Sequence, residues 1–314
     1  MAGAPFTRRG DMKQYKIQDI RNIGLVGHGG SGKTSLAEAI LYFSGVSDRL
    51  GQVGDVSSVM DYDPDEIKRG HSIDASVAFC EVNATKLNLI DMPGSSNFIT
   101  DTPACLRVVD GLIFVIDAAE GVQFYTEKIW NWADQLNLPR IIFLNKLDHE
   151  RANIAPILES IKNKFKKNPV FMQLPNSTGE NFSGVVDLID NHYVSYDKDG
   201  KGNGKTGEVP SDIKDEMEIS HADLMEAVAE VDDELIEIYL EQGELTEEEF
   251  SKGLKEGIEE GQLIPVLGGS ALHNIGVDLL LKAAIKYLPS PDLRAPVMAK
   301  RDDSEVACSA KGGK

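Results

Sequence analysis

Residues 27–34, Gly-His-Gly-Gly-Ser-Gly-Lys-Thr, fit the pattern G-x-x-x-x-G-K-[ST] of a phosphate-binding loop. The segment follows an apolar run at 23–26 and precedes apolar residues at helical spacing from Leu36 to Leu41. This strand–loop–helix order points backbone N–H groups and a helix N-terminus at a phosphate chain. Lys33 can reach the terminal phosphates, and the Thr34 hydroxyl can ligate Mg²⁺. The residues that we predict to contact the phosphates are Gly27, His28, Gly29, Gly30, Ser31, Gly32, Lys33, Thr34 and Ser35.

Two later motifs indicate which base is bound. The apolar run 140–144 ends in Asn145-Lys146-Leu147-Asp148, and Asn-Lys-x-Asp at a strand end is the guanine-reading element of GTPases. The Asp148 carboxylate would accept hydrogen bonds from two donors of guanine that adenine lacks, Lys146 would lie along the base plane, and Asn145 would tie the loops together. In residues 270–272, Ser270, Ala271 and Leu272, a backbone N–H would donate to the guanine carbonyl. An ATP-using enzyme is the alternative, and Asp148 argues against it.

The segments between these motifs predict a sensor for the γ-phosphate. Asp91 follows a predicted strand and would hold Mg²⁺ through water, while the Gly94 N–H would bind the γ-phosphate. Upstream, residues 60–73 would form the first mobile switch, in which the Ser72 hydroxyl completes the Mg²⁺ shell. Taken alone, the two segments would be an ordinary turn and a charged surface loop.

Together these motifs resemble translational GTPases of the elongation factor G type. The resemblance extends from residue 19 to residue 291 and includes the phosphate loop, residues 60–73, 106–111, 117–118, 170–175, 182–184, 269–272 and 287–291. It implies an α/β P-loop GTPase fold, with a mostly parallel sheet covered by helices on both faces, plus an α+β insertion subdomain. The implied ligands are GTP and GDP with Mg²⁺, and the implied partner of the full-length protein is the ribosome. Release factor 3 and the tetracycline-resistance ribosomal protection proteins carry a similar insertion and remain alternatives.

The resemblance also implies a division of the chain. The G domain would comprise 19–175 and 262–291, the insertion 176–261, a flexible N-terminus 1–18, and a polar linker 292–314 that leads toward a second domain.

Three residues depart from the family pattern. Ser72 stands in place of a threonine and keeps the hydroxyl, and nothing explains Met92 in place of another threonine. Ser95 stands in place of the histidine that orients the attacking water. Lys33 and Ser95 are therefore the candidate catalytic residues, and we expect slow GTP hydrolysis. A ribosome-binding GTP-binding module with little or no hydrolysis is the alternative.

Composition limits the function classes. The net charge of −19 disfavours nucleic-acid binding over a broad face, and the acids concentrate between 208 and 260. That acidic stretch would be a solvated surface or, by the resemblance, a contact for the ribosomal stalk protein. Three unpatterned cysteines indicate the reducing cytoplasm, and no apolar run is long enough for a membrane span. We expect a monomer.

Periodicity predicts the elements of the insertion. We expect a strand over 185–196, a glycine-rich turn at 197–204 and one long helix over about 211–242. Thr246 and Glu249 predict a capping box for a further helix, whose inner face carries Phe250, Leu254 and Ile258. A closing helix after residue 276 would bury an apolar stripe: Val277, Leu280, Leu281, Ala284, Ile285 and Leu288.

Overall fold

The computed structural model describes residues 13–95, 97–294, 296–301 and 304–310. The strands, in chain order, are β1 (Ile20–Val26), β2 (Ser76–Val82), β3 (Thr85–Asp91), β4 (Gly111–Asp117), β5 (Arg140–Asn145), β6 (Asn168–Phe171), β7 (Gln173–Pro175), β8 (Gly184–Asp187), β9 (His192–Ser195), β10 (Lys205–Gly207), β11 (Leu263–Gly268), β12 (Val297–Arg301) and β13 (Ser304–Cys308). The helices are α1 (Lys33–Phe43), α2 (Pro64–Arg69), α3 (Thr102–Leu106), α4 (Phe124–Gln135), α5 (Ala155–Phe165), α6 (Lys214–Ala229), α7 (Asp233–Gln242), α8 (Glu247–Glu259) and α9 (Val277–Tyr287).

The main sheet has seven strands in the order β2-β3-β1-β4-β5-β11-β6. Its pairings are parallel except that of β2 with β3, which is antiparallel. Every residue of β5 and β11 is buried, which is typical of parallel strands covered on both faces. The predicted α/β P-loop fold with a mostly parallel sheet is confirmed, as are the strands that end at the candidate site.

Two cores lie on opposite faces of this sheet. Ile113 and Val115 of β4 join the core formed with α1 and α9, whereas Phe114, between them, joins the core that contains Trp130 of α4 and Ile161 of α5. Because successive side chains of a strand point to opposite faces, this alternation requires helices on both sides. The predicted stripe of the closing helix is buried except for Ile285, which is half-buried.

The insertion contains an antiparallel sheet in the order β10-β9-β8-β7, together with helices α6, α7 and α8. The predicted strand over 185–196 is wrong, because β8 and β9 form a hairpin. Asp187 accepts hydrogen bonds from the N–H groups of Ile189 and Asp190, and Asn191 adopts a φ of 51°, so the chain reverses there. The segment 170–175, assigned above to the G domain, also divides, because β6 lies in the main sheet and β7 in the insertion's sheet.

The predicted single helix over 211–242 is wrong as well. The chain leaves the helical conformation at Asp232, whose side chain accepts from the Glu234 N–H and caps the start of α7. The capping box of α8 is confirmed, since Thr246 accepts from the Glu249 N–H and Glu249 accepts from the Thr246 N–H.

Both ends of the described chain carry local structure. Residues 1–12 of the predicted flexible N-terminus lie outside the described residues, and a short 3-10 helix, Ile17–Asp19, precedes β1. In the segment predicted as a polar linker, β12 and β13 pair as an antiparallel hairpin. Within the described ranges, each helix is too short or too polar to traverse a lipid bilayer.

Candidate functional site

The phosphate-binding loop connects β1 to α1, and its glycines are required by backbone shape. Gly30 and Gly32 have φ values of 83° and 91°, a region that favours glycine. A Cβ atom on Gly32 would lie 2.2 Å from Nδ2 of Asn145, and one on Gly27 would lie 2.3 Å from the carbonyl oxygen of Val115. The loop therefore presses its backbone against the ends of β4 and β5.

Lys33 lies buried under this loop, where Nζ donates to the carbonyl oxygen of His28 at 3.0 Å. Gly94, the predicted γ-phosphate contact, lies next to Lys33. The Gly29 N–H donates to the Gly94 carbonyl at 2.9 Å, and a Cβ atom on Gly94 would lie 2.5 Å from Nζ of Lys33. Burial lowers the pKa of Lys33, and the nearby carboxylates of Asp91 and Asp61 oppose that shift.

Thr34, Asp91, Ser72 and Asp61 form a connected polar cluster beside Lys33. Oγ1 of Thr34 donates to Oδ2 of Asp91 at 2.6 Å and lies 3.0 Å from Oγ of Ser72, which donates to Oδ1 of Asp61 at 2.8 Å. The three predicted Mg²⁺-site residues thus come together, and Asp61 is a fourth that sequence reasoning did not assign.

This cluster fits a divalent cation. Among the described residues, Oδ1 of Asp91 and Oδ2 of Asp61 are buried and have no hydrogen-bond partner. Burial raises the pKa of Asp91 to about 6, against the opposing charge of Lys33, and burial also raises the pKa of Asp61. Two buried carboxylates and two hydroxyls supply the oxygen ligands that Mg²⁺ prefers.

Glu38 of α1 is a positioning residue that the sequence analysis missed. Its side chain is buried, and Oε1 accepts from the Ser58 hydroxyl at 2.7 Å and from the N–H groups of Val59 and Met60 at 2.6 and 2.9 Å. The Ser58 hydroxyl oxygen in turn accepts from the Asp61 N–H at 2.9 Å. This chain of bonds holds the predicted first switch on α1, and an acidic residue within an apolar helix face was the available signal.

Asn145 connects the phosphate loop to the loop at 270–272, as predicted. Its Nδ2 donates to the Ser31 carbonyl at 2.8 Å, and its Oδ1 accepts from the Ala271 N–H at 2.9 Å. Lys146 donates to the Gly30 carbonyl and to Oδ2 of Asp117, both at 2.7 Å. Ser270 and Ala271 are buried, whereas Leu272 is exposed.

Asp148 follows the end of β5, and its side chain is partly exposed. Within the described part of the chain, its Oδ1 is buried and has no hydrogen-bond partner. Its Oδ2 lies 3.7 Å from Nε2 of His273, and Nδ1 of His273 lies 2.7 Å from Oδ1 of Asp199 in the insertion. Asp148 thus has one unpaired acceptor oxygen, and His273 is a neighbour that the sequence did not single out.

Ser95 lines a cavity of about 250 Å³ together with Lys33, Thr34, Ser35 and Ser72. Among the residues described, the Ser95 hydroxyl has no hydrogen-bond partner. His71 also lines this cavity, with Nδ1 3.1 Å from the Arg69 carbonyl. A neighbouring cavity extends along Gly30 and Asp117 toward Lys146. The two cavities share Gly29, Gly30 and Lys146 in their walls.

The comparison with known proteins agrees with this geometry. A family model described as "Elongation factor Tu GTP binding domain" matches residues 18–290. The chain belongs to this family. It is a GTP-binding domain of the translational GTPases, a family of GTPases that bind GTP and GDP, typically with Mg²⁺, and that normally act on the ribosome.

A solved crystal structure of a protein from Thermus thermophilus is similar to the chain, with a TM-score of 0.81 and 32% sequence identity. The match covers 87% of this chain and 40% of that protein. The chain therefore spans less than half the length of this Thermus thermophilus protein.

Proposed function

We propose that this chain is the G domain of an elongation-factor-G-type translation factor, which couples its nucleotide state to ribosome engagement. The observation that supports guanine recognition is the Asn145 bridge, because it joins the phosphate loop to the Ser270–Ala271 loop three residues before Asp148, whose Oδ1 has no hydrogen-bond partner among the described residues. Support for the G type comes from the insertion between β6 and β11, with its own sheet and three helices. The stalk contact through residues 208–260, the monomeric state and the cytoplasmic location are part of the same proposal.

Each residue of the nucleotide site has a distinct role in this proposal. Thr34 and Ser72 would hold Mg²⁺ directly and Asp91 through water, and the ion would neutralise charge on the phosphates. Lys33 supplies the cation of the loop, and Gly94 supplies a backbone donor for the γ-phosphate. Positioning and charge stabilisation account for most of the catalysis in phosphoryl transfer.

Nucleotide titration tests guanine recognition. We expect GDP and GTP to bind, and ATP to bind far more weakly, because adenine offers no donor pair to Asp148. Asp148→Asn should weaken guanine binding and favour xanthine nucleotides, whereas Asp212→Asn, an exposed residue of the insertion, should change neither. Equal affinity for GDP and ATP in calorimetry would overturn the assignment.

A second candidate, a ribosome-binding module with little hydrolysis, is favoured by Ser95. A serine is shorter than histidine and reaches an in-line water less readily. The test measures ribosome-stimulated GTP hydrolysis in the complete encoded protein for wild type, Ser95→His and Ser95→Ala. A slow wild type that Ser95→His accelerates supports the binding module. A rapid wild-type rate that Ser95→Ala leaves unchanged removes Ser95 from the mechanism and supports an active GTPase.

A further inference from the structure

Three side chains form a row on one face of the insertion's sheet, far along the chain from the phosphate loop. Gln173 of β7 pairs with Asp187 of β8, and Asp187 pairs with His192 of β9. Directly opposed residues of antiparallel strands point to the same face, with Cβ atoms about 4.5–5.5 Å apart. Asp190, in the turn between β8 and β9, adds a second carboxylate. Ligand atoms of Asp187, Asp190 and His192 lie within 4.8 Å of one another.

Buried polar atoms beside this row lack partners. Gln173 is only 4% exposed, and among the described residues its Oε1 accepts no hydrogen bond. The hydroxyl of Tyr287, a residue of α9 that is 2% exposed, is likewise without a partner in the described ranges. Both side chains line a cavity of about 90 Å³ that Asp187 and Asp190 also line. Buried groups in this condition usually have a bound partner, such as water or an ion.

The donor chemistry favours an ion. The ligand atoms of two carboxylates and an imidazole lie within 4.8 Å of one another, and Gln173 lines the adjoining cavity with an unpaired amide oxygen. A water molecule can donate to only two such acceptors, whereas a cation can take lone pairs from all of them. Mixed nitrogen and oxygen ligands without a thiolate suit a divalent transition-metal ion such as Zn²⁺ or Mn²⁺ better than Mg²⁺. Asp187 is already oriented, because its Oδ1 accepts from the N–H groups of Ile189 and Asp190.

We propose that Asp187, Asp190 and His192, with Gln173, form a site for a divalent transition-metal ion at the junction of the insertion and α9. This site is separate from the nucleotide site. Nζ of Lys282 donates to Oδ2 of Asp190 at 2.8 Å, so its ammonium group would compete with a metal ion for that carboxylate. The Lys282 side chain is 57% exposed and is free to swing into solvent when the ion enters. Removal of Lys282 should therefore tighten metal binding, an effect that a purely structural ion pair does not produce.

The test is a Zn²⁺ titration of the protein saturated with Mg²⁺ and GDP, so that the nucleotide site is already filled. The background is Cys308→Ser, because the exposed Cys308 thiol is itself a zinc ligand. We expect one Zn²⁺ per chain, at least about tenfold weaker binding in Asp190→Asn and His192→Gln, and tighter binding in Lys282→Met. Asp212→Asn, an exposed acid elsewhere on the insertion, is the matched control and should leave Zn²⁺ affinity unchanged.

Asp190 is exposed and His192 half-buried, so these variants should fold, and an unchanged GDP affinity verifies it. The proposal is overturned if wild type binds no Zn²⁺, if Asp190→Asn and His192→Gln bind it as tightly as wild type, or if Lys282→Met weakens binding. In those cases the cavity holds water only.

Discussion

Replacement of Asn145 by alanine tests whether one amide holds the nucleotide loops in register. Asn145 is 2% exposed, and the two groups that it bonds, the Ser31 carbonyl and the Ala271 N–H, belong to residues that are 3% and 1% exposed. Leaving a buried polar group without a partner costs about 1–3 kcal/mol, so the two together correspond to roughly 2–6 kcal/mol. This loss should divide between the free energy of unfolding and the affinity for nucleotide.

The affinity part is the informative one. Because about 1.4 kcal/mol corresponds to tenfold in affinity, we expect Asn145→Ala to weaken GDP binding by about 10–100-fold. Asn145→Asp should bind GDP at least as weakly as Asn145→Ala. Its carboxylate retains the acceptor for the Ala271 N–H but cannot donate to the Ser31 carbonyl. Binding of a fluorescent GDP analogue measures affinity, and urea unfolding without nucleotide measures stability.

Asn163 on α5 provides the matched control. It is exposed, so Asn163→Ala should change both quantities by less than about 0.5 kcal/mol. If Asn145→Ala lowered the free energy of unfolding but left GDP affinity at the wild-type value, the bridge would stabilise the fold without aligning the loops, and our reasoning about the site would be refuted.

Three further predictions concern buried ionisable groups. Lys33→Ala removes the cation of the phosphate loop and should abolish measurable GTP binding in calorimetry, and wild-type affinity would contradict the assignment of the loop. Glu38→Gln keeps the side-chain shape but weakens three hydrogen bonds, so hydrogen exchange at the Met60 amide should accelerate while global unfolding changes by only a few kcal/mol. Because burial raises the pKa of the Cys80 thiol to about 11, its thiolate is scarce at pH 8 and becomes abundant only as pH approaches 11. At pH 8 the exposed Cys308 should therefore react first with a thiol reagent and Cys80 only on unfolding, and early labelling of Cys80 would contradict its burial.

Short sequence motifs were enough to predict individual residues of the nucleotide site. The phosphate loop and Asn145-Lys146-Leu147-Asp148 are short segments, each tied to the end of an apolar strand, and parallel strands place their carboxyl ends along one edge of the sheet. The glycine positions follow from backbone conformation alone, as the φ values of Gly30 and Gly32 illustrate. Motif and strand period therefore sufficed to predict that Thr34, Ser72 and Asp91 come together.

Turns within the insertion were harder to predict because the spacing of apolar residues indicates which side chains are buried but not where the chain reverses. The apolar spacing continues across Asp232 and therefore predicts one helix. In the structure, the Asp232 side chain caps the start of a second helix, α7. The 185–196 segment stays apolar through Leu188 and Ile189 although Asp187 turns the chain there. Both aspartates are local signals of a cap or turn, but the apolar residues on either side of them favoured a continuous helix or strand.

Only the tertiary structure decided the contacts between segments distant in sequence. Glu38 bonds residues 20 to 22 positions away, His273 joins Asp148 to Asp199, and Gln173, Asp187 and His192 align through strand register. A single carboxylate or imidazole has no sequence pattern that identifies its partner. Its role depends on which groups the packed sheet and helices bring within hydrogen-bonding distance, and a shift of one residue in register would turn each of these side chains to the opposite face.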